Sequence, residues 1–403
     1  MGIYERFGVK TVINAAGAMT RYGGTMMDDE VLDAMKEAAK NFVRMDELQA
    51  AASKIIAERT HAEAGIVTAG AAAALTLGTA ACIVGLDVAR MNRLPDTLGM
   101  PNEVLMPWHQ ISGYEHAIRA AGARVTGVGI PGDVTPPDKV YITTKWDVGS
   151  MITKNTVAIA SAIQEGSYPP LEDLVAVGRK YNMPIILDAS DQLPPVANLH
   201  KFIDMGADLV CFSGGKGIRG PQASGILCGR RDLVASAVLQ MLDTAGEPFD
   251  NWEPPRSLIP KEKLHGKPMH GIGRSMKVTK EAVVGLLVAL GNFTEEKYAQ
   301  REKYLKKLID DIAERLAGIP GVEVKRDGGY FKGGHPGLEI RIDKKVLGKS
   351  ATEIFEKLRD GKPSILLGDR DVNKGILLLN SINMNEETAK LVGEHLYRVI
   401  TSK

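Results

Sequence analysis

The chain has 403 residues, with 50 Lys and Arg against 49 Asp and Glu and a formal net charge of +1. Hydrophobic residues make up 44% and charged residues 25%, which excludes a disordered chain and fits about two or three structural units. The even charge balance argues against nucleic acid as the main partner, which usually needs a domain pI above about 9.

The opening Met1-Gly2-Ile3-Tyr4-Glu5-Arg6-Phe7 has no apolar stretch of signal-peptide type. No window reaches the roughly 18 uninterrupted apolar residues of a membrane span. Cys82, Cys211 and Cys228 all lie in apolar runs, with no Cys-x-x-Cys pair and too few thiols for a disulfide framework. A cytoplasmic protein of a reducing compartment, with no membrane partner, is the expectation.

In chain order, residues 1–60 read as turns around one helix at 30–40 and are expected to pack beside a small C-terminal domain. From about 63 to 230, short apolar runs alternate with helical patterns. Strands are expected at 63–68, 103–106, 124–128, 156–163, 184–188, 208–212 and 225–228. Helices are expected at 71–83, 114–121 and 171–181. These strands are continuously apolar rather than alternating, as strands buried on both faces are. Strand–helix alternation of this kind gives a mainly parallel sheet covered by helices, with ligands beyond the carboxyl ends of the strands.

Gly246 to Pro268 is proline-rich with two aromatic anchors, Phe249 and Trp252, and reads as a long ordered loop or a crossover. Residues 277–317 read as helix interrupted near Gly291, whose second half carries a solvated face of paired opposite charges. The tail, with strands at 321–325, 337–342 and 376–380 and helices at 351–359 and 386–400, is a small α+β domain. The expected units are therefore 1–60, a large domain at 61–295 and a small domain at 296–403.

Several motifs fail on context. Gly127-Val128-Gly129-Ile130-Pro131-Gly132 matches G-x-G-x-x-G, but two prolines follow where a dinucleotide site needs a helix, so it is a turn. His61, His109, His116, His200, His265, His270, His335 and His395 show no ligand spacing, so no metal is expected. Ser213-Gly214-Gly215-Lys216 satisfies S-x-x-K, but the companion motifs of that serine-nucleophile family are absent.

The same segment reads better as a lysine site. Lys216 follows a buried strand among glycines, on the ligand side of the sheet, where a desolvated amine can form a Schiff base. Upstream, Pro184-Ile185-Ile186-Leu187-Asp188 is an apolar strand closed by a carboxylate. Such a group needs a cationic or donor partner, and a pyridinium N–H is one. Gly70, Ala71 and Ala72 open a helix whose N–H groups would face a phosphate, with the Ser213 hydroxyl as a further donor. Pro107-Trp108-His109 closes another strand and offers His109, with Trp108 as alternative, to the face of a ring.

With these residues in place, the chain resembles the fold-type-I pyridoxal-phosphate enzymes and, more narrowly, the selenocysteine synthase-like group. The resemblance rests on Ile13-Asn14-Ala15-Ala16-Gly17, on Ser213 to Gly225 around the lysine, and on Gly273-Arg274 with Lys277 and Lys280. Ile3 to Lys10 and Met45-Asp46-Glu47-Leu48 are similar to the D-glucosaminate-6-phosphate ammonia-lyase (dehydratase) branch. The resemblance implies an α/β architecture with a mainly parallel seven-stranded sheet and a small α+β domain. It implies pyridoxal 5'-phosphate carried on Lys216, with Asp188 at the ring nitrogen and Lys216 acting as base at Cα. It also implies loss of a β-hydroxyl and then ammonia from an amino sugar acid or related β-hydroxy amino acid, in a homodimer or higher homo-oligomer. Arg21 with Tyr22, Arg274, Lys277 and Arg370 are candidates for holding substrate carboxylate or phosphate. The group motif begins by residue 13 and the charge is near zero, so a small molecule rather than tRNA is the expected substrate. Seleno-transfer, aldol cleavage, racemisation and a non-catalytic cofactor-binding regulator stay open as alternatives.

Overall fold

The computed structural model describes residues 2–129, 143–163, 168–326 and 334–402. The chain divides into two compact units. One comprises Met1–Met26, Pro194–Val196 and Asn292–Lys403, and the other Met27–Leu193 and Ala197–Gly291. The 1–60 segment is thus split, its last part (27–60) belonging to the larger unit. Residues 130–132 of the 127–132 turn lie outside the described residues.

The strands in chain order are β1 (Val12–Asn14), β2 (Ala64–Thr68), β3 (Glu103–Pro107), β4 (Arg124–Val128), β5 (Thr156–Ala162), β6 (Ile185–Asp188), β7 (Leu209–Ser213), β8 (Gly225–Gly229), β9 (Val322–Arg326), β10 (Gly337–Ile342), β11 (Ser364–Leu366) and β12 (Ile376–Asn380). In the larger unit seven of them form one sheet in the order β2-β8-β7-β6-β5-β3-β4. Strands β3 to β7 pair in parallel, while β8 runs antiparallel between β7 and β2. This is the expected mainly parallel seven-stranded sheet. Every residue of β2, β3 and β8 is buried, which is why those strands read as unbroken apolar runs.

The helix Leu171–Tyr181 has the bounds read from the sequence, and its charges explain why. Glu172 and Asp173 sit in the first turn, Arg179 and Lys180 in the last, and Asn182 ends it in the left-handed region. The helix Met45–Thr60 was not anticipated. Its buried stripe is Asp46, Gln49, Ala52, Ser53, Ile56 and Thr60, which has helical spacing but little apolar character.

That polar stripe has a purpose, because β2 is an edge strand whose backbone would otherwise lack partners. Gln49, fully buried, donates from Nε2 to the Val67 carbonyl (2.8 Å) and accepts at Oε1 from the Val67 N–H (3.0 Å). Ser53 Oγ accepts from the Gly65 N–H at 3.1 Å. The helix thus completes the ladder that a further strand would have supplied.

In the smaller unit β12, β10 and β9 form an antiparallel sheet, and β1 pairs in parallel with β11. Leu305, Leu308, Ile309, Ile312 and Leu316 line one face of the helix Glu295–Leu316. They pack with Leu338 and Ile340 of β10, Leu377 and Leu379 of β12, and Val392 and Leu396 of the helix Glu386–Thr401. The opposite face carries charge pairs such as Lys306–Glu302 (3.1 Å). Among the described residues no helix is long and apolar enough to cross a membrane.

The edge-capping role of Gln49 is testable. Gln49→Leu keeps the volume but strands two buried backbone groups, each costing about 1–3 kcal/mol. We expect a loss of about 2–4 kcal/mol, read as a lower urea midpoint with an unchanged m-value.

Candidate active site

Parallel strands deliver their carboxyl ends to one edge of the sheet, and the chemistry-bearing residues of the larger unit gather there. Asp188 ends β6 between Ala162 of β5 and Cys211 of β7. It is half-buried, and its Oδ1 accepts from the Ser190 N–H at 3.0 Å, which fixes the carboxylate in an Asx-type turn.

Ser213 ends β7 and pairs directly with Gly225, the first residue of β8. Residues 214–224 are therefore the loop of an antiparallel hairpin, and Lys216 rides on it. The loop is closed by Gly214 N–H to Ser224 O (2.9 Å) and Gly220 N–H to Gly214 O (2.8 Å). Arg219, buried and in the left-handed region at φ 62°, ties the loop to Asp28 by an ion pair of 2.7 Å.

The Lys216 amine lies 3.4 Å from Asp191 Oδ1. The sequence suggested a desolvated amine, whereas its side chain is 31% exposed and faces a carboxylate. Asp191 was missed because nothing in its spacing marks it; it reaches the lysine because β6 and β7 are neighbours and the turns that follow them meet.

Gly225 joins this hairpin to the anion site. It also pairs with Thr68 at the end of β2. A Cβ on Gly225 would lie 2.5 Å from the Gly70 carbonyl carbon and 2.7 Å from the Ala71 nitrogen. Only glycine lets β8 approach the Gly70–Ala71 peptide, where the helix Ala71–Val84 begins. Its N-cap is Gly70, which has no side chain to cap it, and the Thr68 hydroxyl donates to the Gly70 carbonyl (2.9 Å). Its first N–H groups are thus left for an anion, with Ala71 half-buried and Ala72 exposed. Gly225 thus brings the Gly70–Ala71 helix start and Ser213 to the same strand end.

Trp108 and His109 follow β3 in a short 3₁₀ turn. The Trp108 indole packs on Gly127 of β4, where a Cβ would lie 2.3 Å from its Cε2. His109 is exposed at the same strand ends. Between β3 and β5 the structure adds Gln110, which the sequence did not single out. It is 3% exposed and accepts from Ser161 Oγ (3.0 Å) and the Ala162 N–H (2.9 Å). Its Nε2 has no hydrogen-bond partner among the described residues.

The basic candidates fall into two groups. Arg274 and Lys277 belong to the larger unit, on a loop whose Gly273 packs against Gln240, Leu77 and Met241. Arg274 pairs with Asp243 at 3.0 Å, while Lys277 is exposed. Arg21, Tyr22 and Arg370 belong to the smaller unit. There Arg21 pairs with Asp369 at 2.7 Å and lies 4.9 Å over the Tyr22 ring.

The residues of the sheet edge fit pyridoxal phosphate on the structure's own terms. An amine, a strand-end carboxylate, an uncapped helix start and a glycine cradle share one edge. The thiols do not contribute. Burial pushes Cys228 up to about 12 and Cys211 well above its ordinary value. Burial and the Asp208 charge push Cys82 up to about 12.

Residues 134–351 match the aminotransferase class-V family, and residues 26–218 match the DegT/DnrJ/EryC1/StrS aminotransferase family. A 5'-C-glycyluridine monooxygenase-decarboxylase from Streptomyces sp is 32% identical over 93% of this chain and 86% of its own. D-glucosaminate-6-phosphate ammonia lyase from Salmonella typhimurium is 27% identical over 98% of this chain and 97% of its own. A solved structure of a D-glucosaminate-6-phosphate ammonia-lyase superimposes with a TM-score of 0.80 at 26% identity, covering 99% of this chain and 98% of that one.

The cradle makes a specific prediction. Gly225→Ala forces a methyl group against the Gly70–Ala71 peptide, an overpacking that costs about 1–3 kcal/mol. We expect pyridoxal-phosphate affinity to fall roughly tenfold or more, measured by titration of the apo-enzyme.

Proposed function

The chain belongs to the aminotransferase class-V family and is a pyridoxal-phosphate-dependent enzyme; on that premise we propose that it is a carbon–nitrogen lyase acting on a β-hydroxy amino acid of the amino sugar acid class. The observation that carries the reading is the approach of Lys216 to Asp191 on a hairpin that opens beside Asp188 and the helix start at Ala71. Likeness to the ammonia lyase over nearly the whole of both chains supports it.

Bound at this edge, the cofactor would supply an electron sink for a carbanion at the substrate Cα. Asp188, oriented by the Ser190 N–H, is assigned to the ring nitrogen as its anionic partner. Gly70, Ala71, Ala72 and Ser213 are assigned to the phosphate, and His109 to the ring face, Trp108 being committed to Gly127. Lys216 is assigned two tasks, holding the cofactor and then, once the substrate amine has displaced it, taking the Cα proton. Asp191 keeps the released amine close to where it is needed.

Lys216 then passes the proton taken from Cα to the β-hydroxyl, which leaves as water. The enamine that is released tautomerises to an imine, and a water molecule hydrolyses it to a 2-oxo acid and ammonia. One water leaves and one enters, so no oxidant is required. Arg274 and Lys277, and Arg21, Tyr22 and Arg370, are assigned to the substrate's carboxylate and phosphate. The enzyme is assigned a homodimer or higher homo-oligomer, a small-molecule substrate and, given three free cysteines, a reducing cytoplasm.

A second reading, oxygen-dependent decarboxylation of an amino acid, is favoured by the 32% identity to the monooxygenase-decarboxylase. The two differ in what they consume. The lyase reading predicts equal amounts of 2-oxo acid and ammonia from D-glucosaminate 6-phosphate or a related hydroxy amino acid, at the same rate with and without oxygen. Lys216→Ala should abolish this turnover. Oxygen uptake matched by carbon dioxide release would establish the second reading instead.

A further inference from the structure

At the edge of the sheet opposite the cofactor cradle, three ligand-type side chains meet that no sequence spacing brings together. His61 follows the helix Met45–Thr60 and precedes β2. His200 and Asp204 lie one turn apart on the helix Asn198–Asp204, which precedes β7. His61 Nδ1 is 2.9 Å from Asp204 Oδ1, and His200 Nδ1 is 2.9 Å from Asp204 Oδ2. The two imidazoles stack with centroids 4.4 Å apart and planes 24° from parallel.

We propose that His61, His200 and Asp204 form a binding site for a divalent transition-metal ion, with zinc as its simplest occupant. One ligand atom from each lies within 4.8 Å of the others. A tetrahedral ion with bonds of about 2.0–2.1 Å needs donors roughly 3.3 Å apart, a spacing the two His–Asp204 pairs at 2.9 Å already approach. Two imidazole nitrogens and one carboxylate oxygen are a zinc-type donor set, whereas magnesium and calcium prefer all-oxygen shells. All three residues are partly exposed, which leaves a fourth position for water.

The local backbone supports a built cluster. His61 holds the left-handed region at φ 58°, a conformation that glycine or asparagine would adopt at less cost. Both Nδ1 atoms face the same carboxylate, and in the metal-free form each can donate to it.

The position gives the ion a structural task. β2 and β7 flank β8, and their far ends carry Gly70 and Ser213. An ion here would staple the amino ends of the two strands whose carboxyl ends build the phosphate cradle. Its effect is therefore expected on stability, with turnover of the holoenzyme little changed.

The test is zinc binding to the purified, cofactor-loaded full chain, by equilibrium dialysis and thermal melting. His61→Asn keeps a residue suited to positive φ, and His200→Ala lies on an exposed helix surface. We expect zinc, but not magnesium, to raise the wild-type Tm. We expect the double variant to lose this rise and to bind zinc more weakly by more than the roughly 10–100-fold that outer-sphere partners are worth. Far-UV circular dichroism and the cofactor absorbance of the variant should match the wild type, showing that the fold survives. Absence of zinc binding in the wild type, or equal binding by wild type and the double variant, would overturn the proposal.

Discussion

The site depends on one backbone contact, that of Gly225 against the Gly70–Ala71 peptide. It sets two otherwise separate devices side by side, the β7–β8 hairpin with Lys216 and the start of the helix Ala71–Val84, the phosphate site we propose. Without it, β8 would stand off from the helix start and the proposed phosphate site would open. The reversed direction of β8 serves the same end, because only an antiparallel strand can return directly from Ser213 and keep the lysine loop short.

The two edges of the large sheet divide the labour. At the carboxyl edge backbone donors, Asp188, Asp191 and Lys216 are left accessible, which suits binding and proton transfer. At the amino edge charged groups pair with one another: Arg230 with Asp208 and Asp232, and His61 and His200 with Asp204. His200 and then His61 hold the Asp204 carboxyl below its usual range, so it is an anion at neutral pH. Ion pairs thus occur at both edges, Lys216 with Asp191 at the carboxyl ends and these groups at the strand starts. The side edge at β2 is closed differently, by the polar face of the helix Met45–Thr60.

The sequence was most legible where one force dominates. Strand Arg124–Val128 and helices Leu171–Tyr181 and Ala351–Arg359 have the bounds expected from apolar runs, charged end-turns and caps. It was least legible where polar residues do buried work. Gln49, Ser53 and Thr60 disguise a buried helix as a surface one, and Gln110 reads as an ordinary turn residue although it bridges β3 and β5. Asp191 and the His61–His200–Asp204 cluster depend on segments meeting in space, which spacing along the chain cannot reveal. Asp188 could be singled out because it closes an apolar strand, and Lys216 because it follows one among glycines, signals that survive in one dimension.

The central claim is that the Lys216 amine carries the cofactor. Borohydride reduction of the purified enzyme, followed by peptide mass mapping, tests it most directly. The account predicts that the visible absorbance band of the enzyme is lost and that a single modified peptide, bearing a reduced pyridoxyl group on Lys216, appears. A band untouched by borohydride, or a pyridoxyl group found on another lysine, would contradict it.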